Sequence, residues 1–443
     1  MTRLFFTCSI AINLMVGYAP LSRAETWMDT IEYSGTIEIE AAYNTDVGAA
    51  QKLEAIIQPE VNANLLEDLG FTTILRLRGD VYDNLAPDIP LQENRSSLSR
   101  RWFISDNIDA ELREFYFDAY INDTFLRIGK QQIVWGQADG LKVLDVVNPQ
   151  SFREFILDDV DNSRIPLWAV NAEFSLGNAQ ALQLIWIPDT TYHNIPDRGS
   201  AYAFSSSRLI PQVPNGFNAV VNRSNKGSNT LADSDMGLRY STFFDGWDIT
   251  LNYLYHYNDL PVLYREITRT TVTVNPEYER THLIGSSLSN AFGGYILRSE
   301  LGYSTNRYHI NQGLNDADGI AKTGDFSYVL GLDYGGFDDM FVSGQFFQSI
   351  LTRDPSGVTR DQVENTLTFL ANRTFINETW KAEIQLLYSL NDNDGLFRPK
   401  LSHELASNIN IWLGADVFYG NTDGLYGQFN DQDRVYVGLE WGF

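Results

Sequence analysis

Thiols, histidines and positive charge are all scarce in this chain. The one cysteine, Cys8, lies in an N-terminal segment that reads as a targeting sequence. A mature chain without it has no thiol, which excludes disulfides and cysteine metal centres and suits an oxidising export compartment. Lys and Arg number 32 against 57 Asp and Glu, a net charge of −25. Losing Arg3 and Arg23 with the leader takes −25 to −27. Such acidity argues against nucleic acid and against a polybasic membrane contact. Past the leader, no apolar run is long enough for a transmembrane helix. Nucleotide-binding glycine loops and His-Glu zinc motifs are missing too, so no cofactor and no metal is expected.

The leader has Arg3 as its positive charge and Leu4 to Tyr18 as its apolar stretch. Ser22-Arg23-Ala24 places small residues at −3 and −1 of a cut before Glu25, leaving residues 25–443 as one unit.

Hydrophobicity in that unit is carried by alternation, which reconciles 44% apolar residues with a mean hydropathy of −0.23. In Ile31 to Asn44, one face carries Ile31, Tyr33, Ile37, Ile39 and Tyr43, the other Glu32, Glu38, Glu40 and Asn44. Side chains of a strand point alternately to opposite faces, so this segment has one apolar and one polar wall. The same reading gives strands at 53–65, 71–82, 115–121, 125–130, 167–176, 181–187, 236–244 and 247–257. It continues at 281–290, 295–303, 326–334, 340–348, 363–371, 380–390, 397–405, 409–419 and 435–443. Every second connection is short and rich in Gly, Asn and Asp, as tight turns require; examples are Asn122-Asp123-Thr124, Gly177-Asn178, Asp245-Gly246 and Gly335-Gly336. The others include long loops, at 83–108, 131–163, 188–234, 258–280 and 305–324.

This phase predicts an all-β, antiparallel, up-and-down transmembrane β-barrel of about 18 strands, or 16 were a pair near Arg280 misassigned. A soluble sandwich would have to bury Glu32, Glu38, Glu40, Glu54 and Glu60, whereas a wet lumen accepts them. The last nine residues put Val435, Val437, Leu439, Trp441 and Phe443 on one face. This resembles the C-terminal signal of bacterial outer-membrane proteins. The resemblance implies a barrel-assembly machinery as partner, a Gram-negative outer membrane as location, and contact with its lipid and lipopolysaccharide.

The insert at 131–163 is where function is expected. Its flanks, Arg127-Ile128-Gly129-Lys130-Gln131-Gln132-Ile133-Val134-Trp135-Gly136, Val146-Val147-Asn148-Pro149 and Ile165-Pro166-Leu167-Trp168-Ala169-Val170, resemble a proteobacterial outer-membrane, porin-like family known mainly as a domain of unknown function. They are loosely similar to the alginate-export barrels as well. Gly129 and Gly136 permit backbone geometry closed to other residues. Asn148-Pro149 predicts a short helix over Ser151 to Leu157, whose apolar face of Phe152, Phe155 and Ile156 needs cover. Either the insert folds into the lumen as a constriction, with Trp135, Asp139, Asp145 and Arg153 near the path, or it is an external cap packed on itself.

Strand parity sends both signs inward. Lys52, Arg76, Arg78, Arg127, Arg239, Arg298, Arg398, Lys400 and Arg434 point in with Glu54, Glu60, Asp80, Glu114, Asp118, Glu300, Glu383 and Glu440. Arg76, Arg78, Asp80, Glu114, Asp118, Arg127 and Lys130 are therefore candidate lumen residues. An anion-selective pore would carry an arginine ladder; alternating signs suit a salt-bridged wall. The Asn391-Asp392-Asn393-Asp394-Gly395 run reads as a turn, since the rest of a Ca²⁺ ligand set is missing. Phospholipases on this scaffold use a Ser-His pair facing lipid. His193 and His309 fall in loops and His256 and His282 turn inward, leaving His403 facing lipid with no serine in reach, so no enzyme is expected.

The expected function is an outer-membrane channel or porin-like exporter for small polar or amphipathic solutes. A gradient or a periplasmic or inner-membrane partner would drive it. Two alternatives stay open: a closed barrel that binds surface ligands or supports the envelope, and a hydrophobic-substrate transporter. The second would use Ile56, Ile74, Leu254, Leu288, Leu370 and Leu387 turned inward.

Overall fold

A computed structural model describes residues 31–443 except 139, 228, 229, 314, 315, 317, 354 and 355. The leader, its cut site and Asp139 fall outside the described residues. In chain order the strands are β1 (Ile31–Asn44), β2 (Ala49–Leu66), β3 (Leu69–Asp80), β4 (Trp102–Ser105), β5 (Ile108–Ile121), β6 (Thr124–Gln131), β7 (Leu167–Gly177) and β8 (Gln180–Ile187). They continue as β9 (Asn218–Val221), β10 (Asp235–Phe244), β11 (Trp247–Tyr257), β12 (Val262–Thr268), β13 (Thr271–Glu277), β14 (Arg280–Phe292), β15 (Tyr295–Ile310) and β16 (Ile320–Phe337). The last are β17 (Met340–Leu351), β18 (Val363–Phe375), β19 (Trp380–Ser389), β20 (Asp394–Ala406), β21 (Ile409–Tyr419) and β22 (Arg434–Gly442). Among the described residues the one α-helix is α1 (Val160–Ser163).

Nineteen strands form one hydrogen-bonded sheet, and eighteen of them close into a ring. Each ring strand is antiparallel to its sequence neighbour, and β22 returns to β1 with Glu38 opposite Glu440 and Thr36 opposite Gly442. The nineteenth, β4, lies along β5, Trp102 opposite Ala110. Closure leaves no free edge in the wall, so every barrel strand is paired on both sides.

Alternation fixes which face is which. On β22, Arg434 and Tyr436 are buried inside the ring while Val435, Val437, Leu439, Trp441 and Phe443 stand exposed on its outside. The outer face is apolar all round, for instance Leu251, Tyr253, Leu330, Phe369 and Leu413. At the seam, Gly35 and Phe443 exchange backbone hydrogen bonds of 2.9 and 3.0 Å.

Several boundaries differ from expectation. β16 runs through Gly335-Gly336 to Phe337, so its turn falls at Asp338-Asp339, where Asp339 takes φ 56°. The 258–280 loop holds the β12–β13 hairpin, whose free edge takes β9 in parallel. That hairpin lies outside the wall, and the ring has 18 strands. β15 extends to Ile310, which puts His309 in a strand. On β14, His282 pairs with Tyr255 and Leu288 with Ile249, both outward residues. His282 and Leu288 therefore face out, against the expected parity. The cause is Leu283, an apolar residue buried on the inner face, which leaves leucines on both sides of this strand.

Candidate functional site

The insert between β6 and β7 crosses the ring. Gly129 starts it: at φ 139° its Cα lies so near the Phe115 carbonyl that a Cβ would sit 2.1 Å away. Gln131 and Asn148 then anchor the base, Asn148 Oδ1 accepting the Ile133 N–H at 2.7 Å. Trp135 is buried and donates its indole N–H to inward-facing Gln183 on β8 at 2.8 Å. Beyond it the chain reaches β15. There the Glu300 carboxylate accepts the backbone N–H groups of Gln137, of Ala138 at 2.9 Å and of Leu144 at 3.1 Å. Three amides without helix or sheet partners are thereby satisfied by one inward side chain.

Glycines on the inner wall make room for this passage. A Cβ on Gly302 would lie 2.9 Å from Val143, one on Gly285 2.3 Å from Leu144, and one on Gly237 2.7 Å from Trp135. Trp135, Val143 and Leu144 form an apolar cluster with Leu167, Ile185, Leu254 and Leu283. Gly136 takes an ordinary φ; its constraint is Asp145, which a Cβ would meet at 2.7 Å.

The second half lies against the opposite wall. Where a helix was expected over Ser151 to Leu157 there is a turn, and α1 forms only at Val160–Ser163. Gln150 and Ser151 instead bridge to Arg164 and Asn194, and Phe155 takes φ 54°, which stops a right-handed helix. Phe155 packs on Phe429 at 4.8 Å and on inward Phe418 of β21 at 6.2 Å. The His193 ring accepts the Gln150 N–H at 2.9 Å, and burial pushes His193 down to about 3, so it accepts as the neutral form.

Charge fixes the rest of this half. Glu154 meets Lys52 of β2 at 2.8 Å and Arg434 of β22 at 2.8 Å, while Arg153 meets Glu54 of β2 at 2.6 Å and Asp80 at 3.5 Å. Burial pushes the Glu154 carboxyl up, but Lys52, Arg434 and Arg153 outweigh it and hold it well below the usual carboxylate range. Asp158 is raised to about 6, by burial first and then by the Glu154 charge. Arg398 of β20 donates to the Leu157 carbonyl at 2.7 Å and Arg76 to Asn162 at 2.7 Å.

The expected lumen residues thus fall into two groups. Arg76, Asp80, Trp135, Asp145 and Arg153 bind the insert to itself or to the wall; Asp145 holds Arg164 at 2.8 Å and Lys142 at 2.7 Å. Arg78 pairs with Asp109 at 2.9 Å, Arg127 with Asp118 at 2.6 Å, and Lys130 donates to the Leu112 carbonyl at 2.6 Å, all within the wall. Glu114 accepts from Gln132 at 2.8 Å. Glu154, Arg164 and Asp416 were not among the expected lumen residues. His403 faces out and stacks on Trp380 at 4.2 Å.

Between the insert and strands β18–β22 and β1 lies a cavity of about 730 Å³. It extends toward the short-turn end, where Glu383, Asn410 and Glu440 line it. Its walls mix charge with Leu370, Ile156 and Val160.

A family model described as "Protein of unknown function (DUF1302)" matches residues 22–382. No curated protein matches in sequence. Among solved structures, Pseudomonas aeruginosa OpdK, crystallised with vanillate, superposes with a TM-score of 0.52 at 10% identity over 94% of this chain and 99% of its own. Mutants of the Rh. blastica porin superpose with a TM-score of 0.41 at 10% identity, covering 93% of this chain and 100% of theirs. The first of these likenesses shows the fold, a porin-like barrel.

Proposed function

The chain belongs to the DUF1302 family, and from that premise we propose that it is an outer-membrane channel passing small polar or amphipathic solutes, with the insert as its constriction. The single observation that carries this reading is the passage of 131–138 and 140–166 across the ring, pinned to β8 and β15 on one side and to β2, β20 and β22 on the other. A plug of this kind narrows a lumen without sealing it when a cavity stays open beside it, and one of about 730 Å³ does. The apolar outer face and closed edges support a site in a bilayer, and the exposed Val435 to Phe443 stripe supports recognition by an assembly machinery.

Planar-bilayer recording tests the proposal. Discrete conductance steps are expected from the refolded barrel, and deletion of residues 139–161 should raise step size about twofold or more. Unchanged conductance after the deletion would remove the constriction, and silence at high protein would remove the channel.

A further inference from the structure

The cavity beside the insert is unevenly charged. Six cations line it, and five are held by carboxylates. Lys52 meets Glu40, Glu54 and Glu154; Arg434 meets Glu154 and Asp416; Arg398 meets Asp416. Arg164 and Lys142 share Asp145. The sixth, Lys400, lies over the Trp412 ring at 4.9 Å. Four lining carboxylates, Glu38, Glu440, Asp158 and the exposed Asp159, have no cation within ion-pair distance among the described residues. Glu38 and Glu440 are direct cross-strand partners, an arrangement that like charges disfavour. An independent feature adjoins them: Leu370 of β18 and Ile156 and Val160 of the insert present apolar surface to the same space.

We propose that this vestibule binds and selects amphipathic organic cations, the ammonium group against Glu38, Glu440 and Asp158 and the apolar body against Leu370, Ile156 and Val160. The inference deepens the channel reading by naming its solute class. Uncompensated carboxylates beside a low-dielectric wall attract a cation more strongly than they would in bulk water. An apolar flank then favours a cation with a hydrocarbon body over a hydrated one. Anions meet the same carboxylates as a barrier; the five paired cations are neutralised by their partners, and Lys400 alone opposes the four carboxylates.

Two measurements on the full refolded chain test this. Reversal potentials across a KCl gradient should give K⁺ over Cl⁻ by about fivefold, falling to about unity in E38Q/E440Q. Calorimetry with benzyltrimethylammonium should show binding that weakens about tenfold in the same variant, with tetramethylammonium binding more weakly than the benzyl compound. Heat-shifted gel migration confirms that the variant is folded. A barrel that conducts without cation preference and binds neither ammonium ion overturns the vestibule and leaves the channel. A silent barrel that binds benzyltrimethylammonium through Glu38 and Glu440 overturns the channel and leaves the vestibule. Silence with no binding overturns both.

Discussion

Glu300 and Asp158 show how single carboxylates shape the lumen. Glu300 satisfies the amides of Gln137, Ala138 and Leu144, so Glu300→Ala leaves three N–H groups without partners. Each unsatisfied buried amide costs about 1–3 kcal/mol, enough to free the first half of the insert. Noisier and larger single-channel steps are the expected result; a trace like the parent's would show that Glu300 does not hold the insert. Asp158 makes a pH prediction. Its carboxyl is raised to about 6, so the folded chain takes up its proton more readily than the unfolded chain does, and stability rises as pH falls through that value. The titratable and charged groups facing it are Glu154, Arg76, Lys52, Glu54 and the carboxyl of Glu38. Of these, Glu154 stays ionised there because its cations hold it far lower. Lowering pH from 7 to 5 should therefore cut cation preference and protect the insert from protease, and D158N should flatten both changes. Parity placed Glu300 inward, but its partners lie more than 150 positions earlier, and no local pattern carries that pairing.

The elements divide by how their surroundings constrain them. Barrel strands were legible because most of them set lipid-facing apolar residues against lumen-facing polar ones. That contrast failed on β14, where the inner face meets the insert and carries Leu283 and Gly285 in place of polar residues. The insert failed for the converse reason. Its apolar residues answer to scattered wall sockets and follow no helical period, so Phe152, Phe155 and Ile156 suggested a helix that the positive φ of Phe155 breaks. The sockets themselves are testable. Val143 lies 2.9 Å from the Cβ that Gly302 lacks, so Gly302→Val should push the insert off β15 and make residues 136–146 protease-sensitive. Adding Val143→Ala restores the volume and should restore resistance about threefold or more. If the double variant is cut as fast as the single one, socket packing does not position the insert.

At the scale of the molecule, the insert and the closure of the ring are one problem. The seam pairs β1 with β22, and β2 flanks β1 on the other side. Glu154 grips Lys52 on β2 and Arg434 on β22, so one carboxylate from the insert spans the closing strand from inside. All three side chains are buried, and a buried charge that loses its partner costs about 3–5 kcal/mol. Glu154→Ala removes a partner from Lys52 and from Arg434, although Lys52 keeps Glu40 and Glu54 and Arg434 keeps Asp416. The temperature at which the folded band disappears on semi-native gels should fall by several degrees. Replacing charges by apolar groups of similar size is often neutral, so K52M/E154L should regain most of that loss. An insert that merely fills space would give a different pattern: Glu154→Ala would leave the transition in place, and the insert deletion would free the channel without loosening the wall. A parallel fall in the deletion and in Glu154→Ala, recovered in K52M/E154L, would show that the segment narrowing the lumen also clasps the ring shut.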